Sequence, residues 1–501
     1  MAEQHVYTTD EKFDVIRSRV GLILGPAVAV LVYFLPLAGL SQAAHVLAAV
    51  LSLVIIWWIS ECIPIPATSL LGLALCSVMG VETPRKVFAA FADPVIFLFI
   101  GSFILAQAMS RHGLDSRLAY SILSVRAVSA RPFTIVLAFG LLSAVLSMWI
   151  SNTATVAMLI PISVGVMQTI SRASEKAIDL KNSRLASALV LAAAFGASIG
   201  GIATPVGSPP NLIGLGLINE VLGVRVSFFQ WMQFALPMTL VMLVVLFIIL
   251  ALFSPSEVKS TKAVAGYLAE NRKSLPKFSR AEFNVLLAFA FTVALWVLPG
   301  VLSAIFSKDH ALVAWLEHHI PESVAALLGA SLLFILPVNF REREFTTDWV
   351  QASQIDWGTI MLFGSGLAFG ALMFQTGLAE SVGKSLLYAA GAQSSWSITL
   401  LAIALAVTIT SFASNTASAN MVIPVVISLA KAANIDPVPP AMGACLGASF
   451  GFLLPVSTPP NALAYASGLV PITRLIKLGL LLSIAGIFVL FVGMYLLPLK
   501  H

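Results

Sequence analysis

Long apolar runs separated by short charged loops dominate this chain. Residues 20–40, 43–60, 228–253, 283–306 and 475–499 each approach or exceed the roughly 20 residues that cross a hydrocarbon core. Apolar runs between charged loops predict membrane helices near 20–40, 42–60, 64–80, 93–111, 184–223, 228–253, 283–304, 322–338, 356–375, 438–468 and 472–497. Two further uncharged stretches, 132–171 and 397–430, each carry a Ser-Asn-Thr triplet near the middle. The segment 254–282, with Pro255, Pro276 and six Lys/Arg residues, reads as a polar linker between two halves. Two shorter stretches are amphipathic: Leu114, Leu118, Ile122 and Val125 share one helical face, as do Leu378, Val382 and Leu386. They read as interfacial arm helices or as ordinary packed helices; periodicity does not separate the two.

Composition agrees with lipid as the solvent. Of 501 residues 59% are apolar and only 10% charged, too little polar surface for a soluble protein of this size. The polar N-terminal segment with Lys12, Arg17 and Arg19, followed by an apolar run longer than a leader core, predicts no cleaved signal peptide. Cys62, Cys76 and Cys445 lie in or beside apolar segments and read as buried thiols. The net charge of +5 is explained by its distribution over loops. With the N-terminus in the cytoplasm, 21 of the 28 Lys/Arg fall in inside loops and seven outside. The predicted placement is therefore a multi-pass cytoplasmic (inner) membrane protein with a cytoplasmic N-terminus and linker, and a periplasmic C-terminus. To preserve that orientation, each triplet stretch must cross the membrane either not at all or twice.

The halves repeat one another. Asp93–Ser102 (DPVIFLFIGS) and Asp356–Ser365 (DWGTIMLFGS) share Asp, Gly and Ser at an offset of 263. At the same offset SNTATVAMLIPI (151–162) meets SNTASANMVIPV (414–425), identical at seven of twelve positions. TPVGSPPNLI (204–213) and LPVSTPPNAL (454–463) repeat at an offset of 250. Three motifs in one order imply duplication. With re-entrant triplet segments each half has five crossings, so the second copy is inverted, the plan of many secondary transporters. The expected organisation is an N-terminal segment and first helix (1–41), a first repeat (42–254) with hairpin 132–171, a linker (255–281), and a second repeat (282–501) with hairpin 397–430.

The repeated motifs also carry the candidate chemistry. Serine and asparagine in a long charge-free segment compete for backbone hydrogen bonds and break the helix. Irregular backbone at membrane depth is tolerated only inside protein or beside a water-filled cavity. Such a break offers carbonyls and hydroxyls to a hard cation, and amide hydrogens at a positive dipole end to a carboxylate. Gly207-Ser208-Pro209-Pro210-Asn211 and Ser457-Thr458-Pro459-Pro460-Asn461 force further breaks, because paired prolines remove two donors and exclude helix before them. No Asp, Glu, His, Lys or Arg occurs in the triplet stretches or in 185–219 and 437–473. Proton-coupled carriers ordinarily need a titratable group at depth, so the pattern favours sodium. The seven histidines sit in loops or at helix ends, and no facing carboxylates, nucleophile or metal set is evident, so the chain does not read as an enzyme.

Together with Trp57-Trp58-Ile59-Ser60-Glu61-Cys62-Ile63-Pro64 and Asp356-Trp357-Gly358, these motifs resemble the divalent anion/sodium symporter family, which includes solute carrier family 13 and the INDY-type bacterial dicarboxylate transporters. The resemblance runs from about residue 50 to the C-terminus; it departs from the pattern at Ser60 and Cys62, where Thr and Ala are more usual. It implies an all-α polytopic membrane protein with about eleven transmembrane helices, two re-entrant hairpins, two unwound helices, a homodimer in lipid, and an elevator-type mechanism. Carried over by motif position, one sodium site would use Ser147, Ser151, Asn152 and Gly207, and a second Thr410, Ala413, Asn415 and Ser457. Substrate carboxylates would meet Asn152, Thr153, Ser208, Asn415, Thr416, Thr458 and Pro459. The implied activity is sodium-coupled import of small dicarboxylates of the succinate, fumarate and malate type. A sodium-independent di- or tricarboxylate exchanger, or a sodium-coupled carrier of citrate, tartrate or sulfate, stays open.

Overall fold

A computed structural model describes residues 9–37, 39–129, 131–174, 179–258, 261–306, 310–390 and 394–497. Among them the chain is almost entirely helical. Nine helices are long and apolar enough to cross a membrane, or ten if Ala311–His319 and Glu322–Ile335, bent by 69° at Ile320 and Pro321, form one span. Ile65–Val78 and Val438–Gly447 are apolar but short.

The repeated motifs mark matching local structures. Asp93 and Asp356 are both N-caps: Asp93 accepts from the Val95 amide at 2.8 Å to start Pro94–Arg111, and Asp356 accepts from Thr359 at 3.0 Å to start Trp357–Thr376. Their recurrence thus has a structural cause, the satisfaction of orphan donors at a helix start. Each triplet stretch folds into two antiparallel helices with a short tip. Pro132–Ser147 and Asn152–Ala173 form the first hairpin, and Ser395–Thr410 and Asn415–Ala432 the second. Each proline-rich motif splits a helix, Arg184–Gly201 from Pro209–Leu222 and Val438–Gly447 from Pro459–Ala466.

The first broken helix forms the centre of the core, with every residue from Leu185 to Gly201 buried. Its run of Ala, Gly and Ser lets backbones touch, as interhelical packing in lipid favours. A Cβ on Gly196 would lie 2.7 Å from the Gly140 carbonyl oxygen, and one on Gly200 2.2 Å from that of Ala144. Hairpin arm and broken helix therefore pack backbone on backbone. In the second half the approach is looser: a Cβ on Gly447 would lie 3.1 Å from the Ile403 carbonyl oxygen.

The two halves are unequal in length. The hairpin return helix has 22 residues in the first half and 18 in the second; the leading segment of the broken helix has 18 and 10. At 1.5 Å per residue these differences are about 6 and 12 Å of reach.

Two features depart from the sequence expectation, and the arm helices agree with it. The linker contains a helix, Lys262–Ser274, whose Val264 and Leu268 are buried and whose Tyr267 hydroxyl comes so close to Gly165 that a methyl there would clash with it. Beyond Ile335 the expected helix gives way to a two-stranded hairpin, Pro337–Asn339 with Glu344–Phe345. The arm helices Leu114–Leu123 and Leu378–Ala390 are too short to cross a bilayer, at 10 and 13 residues. In the first, Leu114, Asp115, Ala119 and Leu123 are buried, while Leu118, Ile122 and Val125 point outward. Burial raises the Asp115 carboxyl above its ordinary range against hydrogen bonds from Ser116 and Ser110. Arg117 anchors this arm with a two-pronged ion pair to Glu282 and a 2.7 Å bond to the Pro276 carbonyl.

Candidate functional site

Each triplet lies where one helix ends and the next begins. Ser151 and Ser414 are the N-caps of the return helices, accepting from Ala154 and Ala417 at 3.2 Å. The following Asn and Thr therefore occupy the first turn. Their amides have no carbonyl from a preceding turn, and they sit at the positive end of the helix dipole. Ser151 and Thr153 are exposed, and Asn152, Asn415 and Thr416 are half-buried, so both tips open to the surface.

In the first tip the Asn152 side chain reaches back to the last turn of the preceding arm. Its amide oxygen meets the Ser147 hydroxyl, with the carbonyls of Ala197 and Gly207 at 3.2 and 3.3 Å. Turned over, the same amide donates its NH2 to all three oxygens. With oxygen inward, the group is a neutral cradle of four oxygens from hairpin, helix and break. With nitrogen inward, it satisfies itself. A hard cation selects the first arrangement.

The second tip repeats the plan. Thr410 donates to the Asn415 amide oxygen at 2.7 Å and to the Ala448 carbonyl at 2.8 Å. Ala448 thus stands where Ala197 stands in the first half, and neither carbonyl was among the residues expected from sequence. Ala413 is buried in the second tip. Ser457 lies in the break beside the second tip. Its hydroxyl donates to the Ser411 carbonyl at 2.6 Å and accepts from Leu454 at 3.2 Å, so it fastens the break to the hairpin. Thr204 does this in the first half, donating to the Met148 carbonyl and accepting from Gly207 at 3.1 Å.

The breaks themselves are held by buried asparagines. The Asn211 amide donates to the carbonyls of Gly201 and Thr204, both at 2.8 Å, and Asn461 to those of Gly451 and Leu454 at 2.9 and 3.1 Å. Ser208 and Thr458 precede the second helical segments in extended conformation, and the Thr458 hydroxyl caps Asn461 at 3.3 Å. Ser208 meets the hydroxyl of Ser449 at 2.9 Å, a direct link between the halves. Pro459 is exposed at the same opening. Asn211→Ala and Asn461→Ala are expected to destabilise the fold by about 1–3 kcal/mol, because each leaves a buried glycine carbonyl, that of Gly201 or Gly451, without a donor. Thermal unfolding of purified protein checks this.

The tips are not equivalent in surroundings. Trp149 stacks on Phe228 at 6.3 Å and meets Phe289 edge-on at 5.4 Å, and Phe228 stacks on Trp296 at 4.7 Å. Its counterpart Phe412, one residue before Ala413, is 54% exposed. Two cavities, of about 630 Å³ and about 370 Å³, share Arg225 and Glu322, which pair at 2.8 Å. Asp93 lines the smaller of these; burial and the charge of Glu220 raise its carboxyl, opposed by the Val95 amide. No group of three or more His, Cys, Asp or Glu side chains suited to a metal occurs among the described residues.

Duplicated hairpins and broken helices, meeting around neutral oxygens, define a polytopic membrane transporter. The fold matches two solved transporters: the Alcanivorax borkumensis YdaH transporter, with TM-score 0.53, 16% identity and coverage of 96% of this chain and 97% of that one, and Neisseria gonorrhoeae MtrF, with 0.56, 15%, 99% and 97%. The model of the sodium:sulfate symporter transmembrane region matches residues 17–499, and the chain belongs to that family. Among curated relatives, the sodium-dependent dicarboxylate transporter SdcS of Staphylococcus saprophyticus is 32% identical over 489 residues, 95% of this chain and 91% of that protein. SdcS of Staphylococcus aureus strain USA300 is 31% identical over 487 residues, 96% and 91%. The motif-based family assignment and the expectation of a transporter rather than an enzyme are borne out.

Proposed function

We propose that this protein imports small dicarboxylates of the succinate, fumarate and malate type together with sodium. The observation that carries the reading is the duplicated cluster Ser147–Asn152–Ala197–Gly207 and Thr410–Asn415–Ala448, set at paired helix N-termini, the first an oxygen cradle once the Asn152 amide turns its oxygen inward. Hydroxyl, amide and carbonyl oxygens suit a hard cation, and helix N-termini suit a carboxylate. The names of the SdcS relatives support both sodium and dicarboxylate.

In this reading Ser147, Ser151, Asn152 and Gly207 hold one sodium with the Ala197 carbonyl. Thr410, Ala413, Asn415 and Ser457 hold a second with the Ala448 carbonyl, and the Ser457 hydroxyl also fastens the break. The substrate carboxylates lie against Asn152, Thr153, Ser208, Asn415, Thr416, Thr458 and Pro459. Each hairpin enters and leaves on one face of the cytoplasmic membrane, leaving eleven crossings, a cytoplasmic N-terminus and a periplasmic C-terminus. Two inverted repeats in each protomer of a homodimer then move as an elevator. The proposed linker lies on the cytoplasmic side; its residues 259–260 fall outside the described ones.

Carrying a dianion inward with fewer than two cations moves net negative charge against the potential, at about 2.3 kcal/mol per charge per 100 mV. Uptake of labelled succinate into proteoliposomes is therefore expected to rise cooperatively with sodium, with at least two ions per substrate. A proton gradient alone is expected to give no accumulation. Uptake in sodium-free buffer driven by external acid would overturn this mechanism, and competition by citrate, tartrate or sulfate stronger than by malate would reassign the substrate.

A further inference from the structure

A cavity of about 430 Å³, distinct from the tips, lies beside the starts of Arg184–Gly201 and Ile472–Leu496 and the end of Phe228–Phe253. We propose that it binds the phosphodiester headgroup of an anionic phospholipid.

Three cations line it: Arg184, Arg474 and Lys477. Two helices begin here, after Ser183 and after Pro471, so their positive dipole ends face the same region as the three cations. That is the reverse of ordinary charge placement at a helix start, and an anion relieves it. Arg474 is already oriented: one guanidinium nitrogen donates to the Ser183 carbonyl at 3.0 Å and the Ser187 hydroxyl at 2.6 Å. Its other two nitrogens keep three N–H donors in the planar fork that matches a phosphate. The Lys477 ammonium is held 5.3 Å from the centre of the Phe253 ring.

Glu257 is the carboxylate whose charge reaches Arg474 among the described residues, and it is occupied. Its oxygens accept from the Ser183 hydroxyl and, at 3.2 Å, from the Leu185 amide. Arg184, Arg474 and Lys477 form no salt bridge among the described residues. Against one carboxylate, three cations leave the cluster net positive.

The surroundings select the source of the phosphate. Leu252 is 69% exposed and Phe253 45%, continuing an outward apolar face through Leu240, Val244 and Ile248. An anion seated here lies where acyl chains run along that face, and a basic pocket at the end of membrane helices is the geometry that retains charged headgroups. A free phosphate gains nothing from this apolar margin.

The test uses full-length protein purified in detergent and depleted of lipid, followed by native mass spectrometry and thermal unfolding. Phosphatidylglycerol is expected to stay bound and to raise the unfolding temperature more than phosphatidylcholine or inorganic phosphate does. Arg184→Gln/Lys477→Gln, which leaves both bonds of Arg474 intact, is expected to weaken phosphatidylglycerol retention about tenfold or more. Lys384→Gln, at an exposed lysine elsewhere, is expected to leave it unchanged. Equal stabilisation by inorganic phosphate would overturn the lipid source. Undiminished phosphatidylglycerol preference in a folded double variant, or in Arg474→Gln, would overturn the site.

Discussion

Asn152→Ala and Asn415→Ala are each expected to reduce sodium-driven succinate uptake by about 100-fold or more. The Asn152 amide reaches the Ser147 hydroxyl and the carbonyls of Ala197 and Gly207; the Asn415 amide accepts from the Thr410 hydroxyl, which also donates to the Ala448 carbonyl. In the proposed site each also faces both a cation and a carboxylate. Hydrogen bonds to charged groups contribute about 1.5–3 kcal/mol, and two such losses amount to more than two factors of ten. Alanine keeps the helix start, because the N-caps Ser151 and Ser414 are untouched. Initial rates in proteoliposomes, normalised to inserted protein of unchanged thermal stability, check the result. A wild-type rate in either variant would remove the duplicated tips from the transport site.

The second large effect is expected from two glycines. A Cβ on Gly201 would stand 2.7 Å from the Asn152 amide oxygen and 3.0 Å from the Gly207 carbonyl. One on Gly451 would stand 2.9 Å from the Asn415 oxygen and 3.0 Å from the Thr410 carbonyl. Gly201→Ala and Gly451→Ala therefore place a methyl group against the proposed cation ligands. Overpacking of this kind costs about 1–3 kcal/mol, so the sodium concentration for half-maximal uptake should rise roughly tenfold, with succinate affinity falling in parallel. Gly266→Ala, where a Cβ meets nothing within 4 Å, serves as the control. Unchanged sodium dependence in both tip variants would show that the cations bind elsewhere.

The hairpins and breaks were legible because polar and proline residues are conspicuous in charge-free segments and because each motif occurs twice. Ala197 and Ala448 were not, since a backbone carbonyl ligand has no side-chain signature. Their only trace is Gly-Ala-Ser, repeated at 196–198 and 447–449 ahead of the proline motifs. Matching Ser457 to Gly207 by sequence did not show that its hydroxyl bonds to the Ser411 carbonyl, as the Thr204 hydroxyl bonds to that of Met148 in the other half. The linker helix Lys262–Ser274 escaped notice because its apolar face is only Val264, Tyr267 and Leu268 within a charged stretch. The strands around residue 340 span three and two residues, below what alternation can register.

The unequal lengths of the halves bear on the energy landscape of the transport cycle. Two identical inverted repeats would make the inward-open and outward-open forms images of one another, with equal free energies and equal populations at rest. A return helix four residues longer and a leading broken-helix segment eight residues longer in the first half break that degeneracy. In the proposed inverted-repeat cycle, exchanging the roles of the halves then exposes different surfaces to water and lipid in the two forms. Each 1.4 kcal/mol of difference skews the resting population tenfold. The empty carrier should therefore wait mostly on one side of the membrane, and trimming the longer helices toward the shorter ones should move that balance without touching a binding residue.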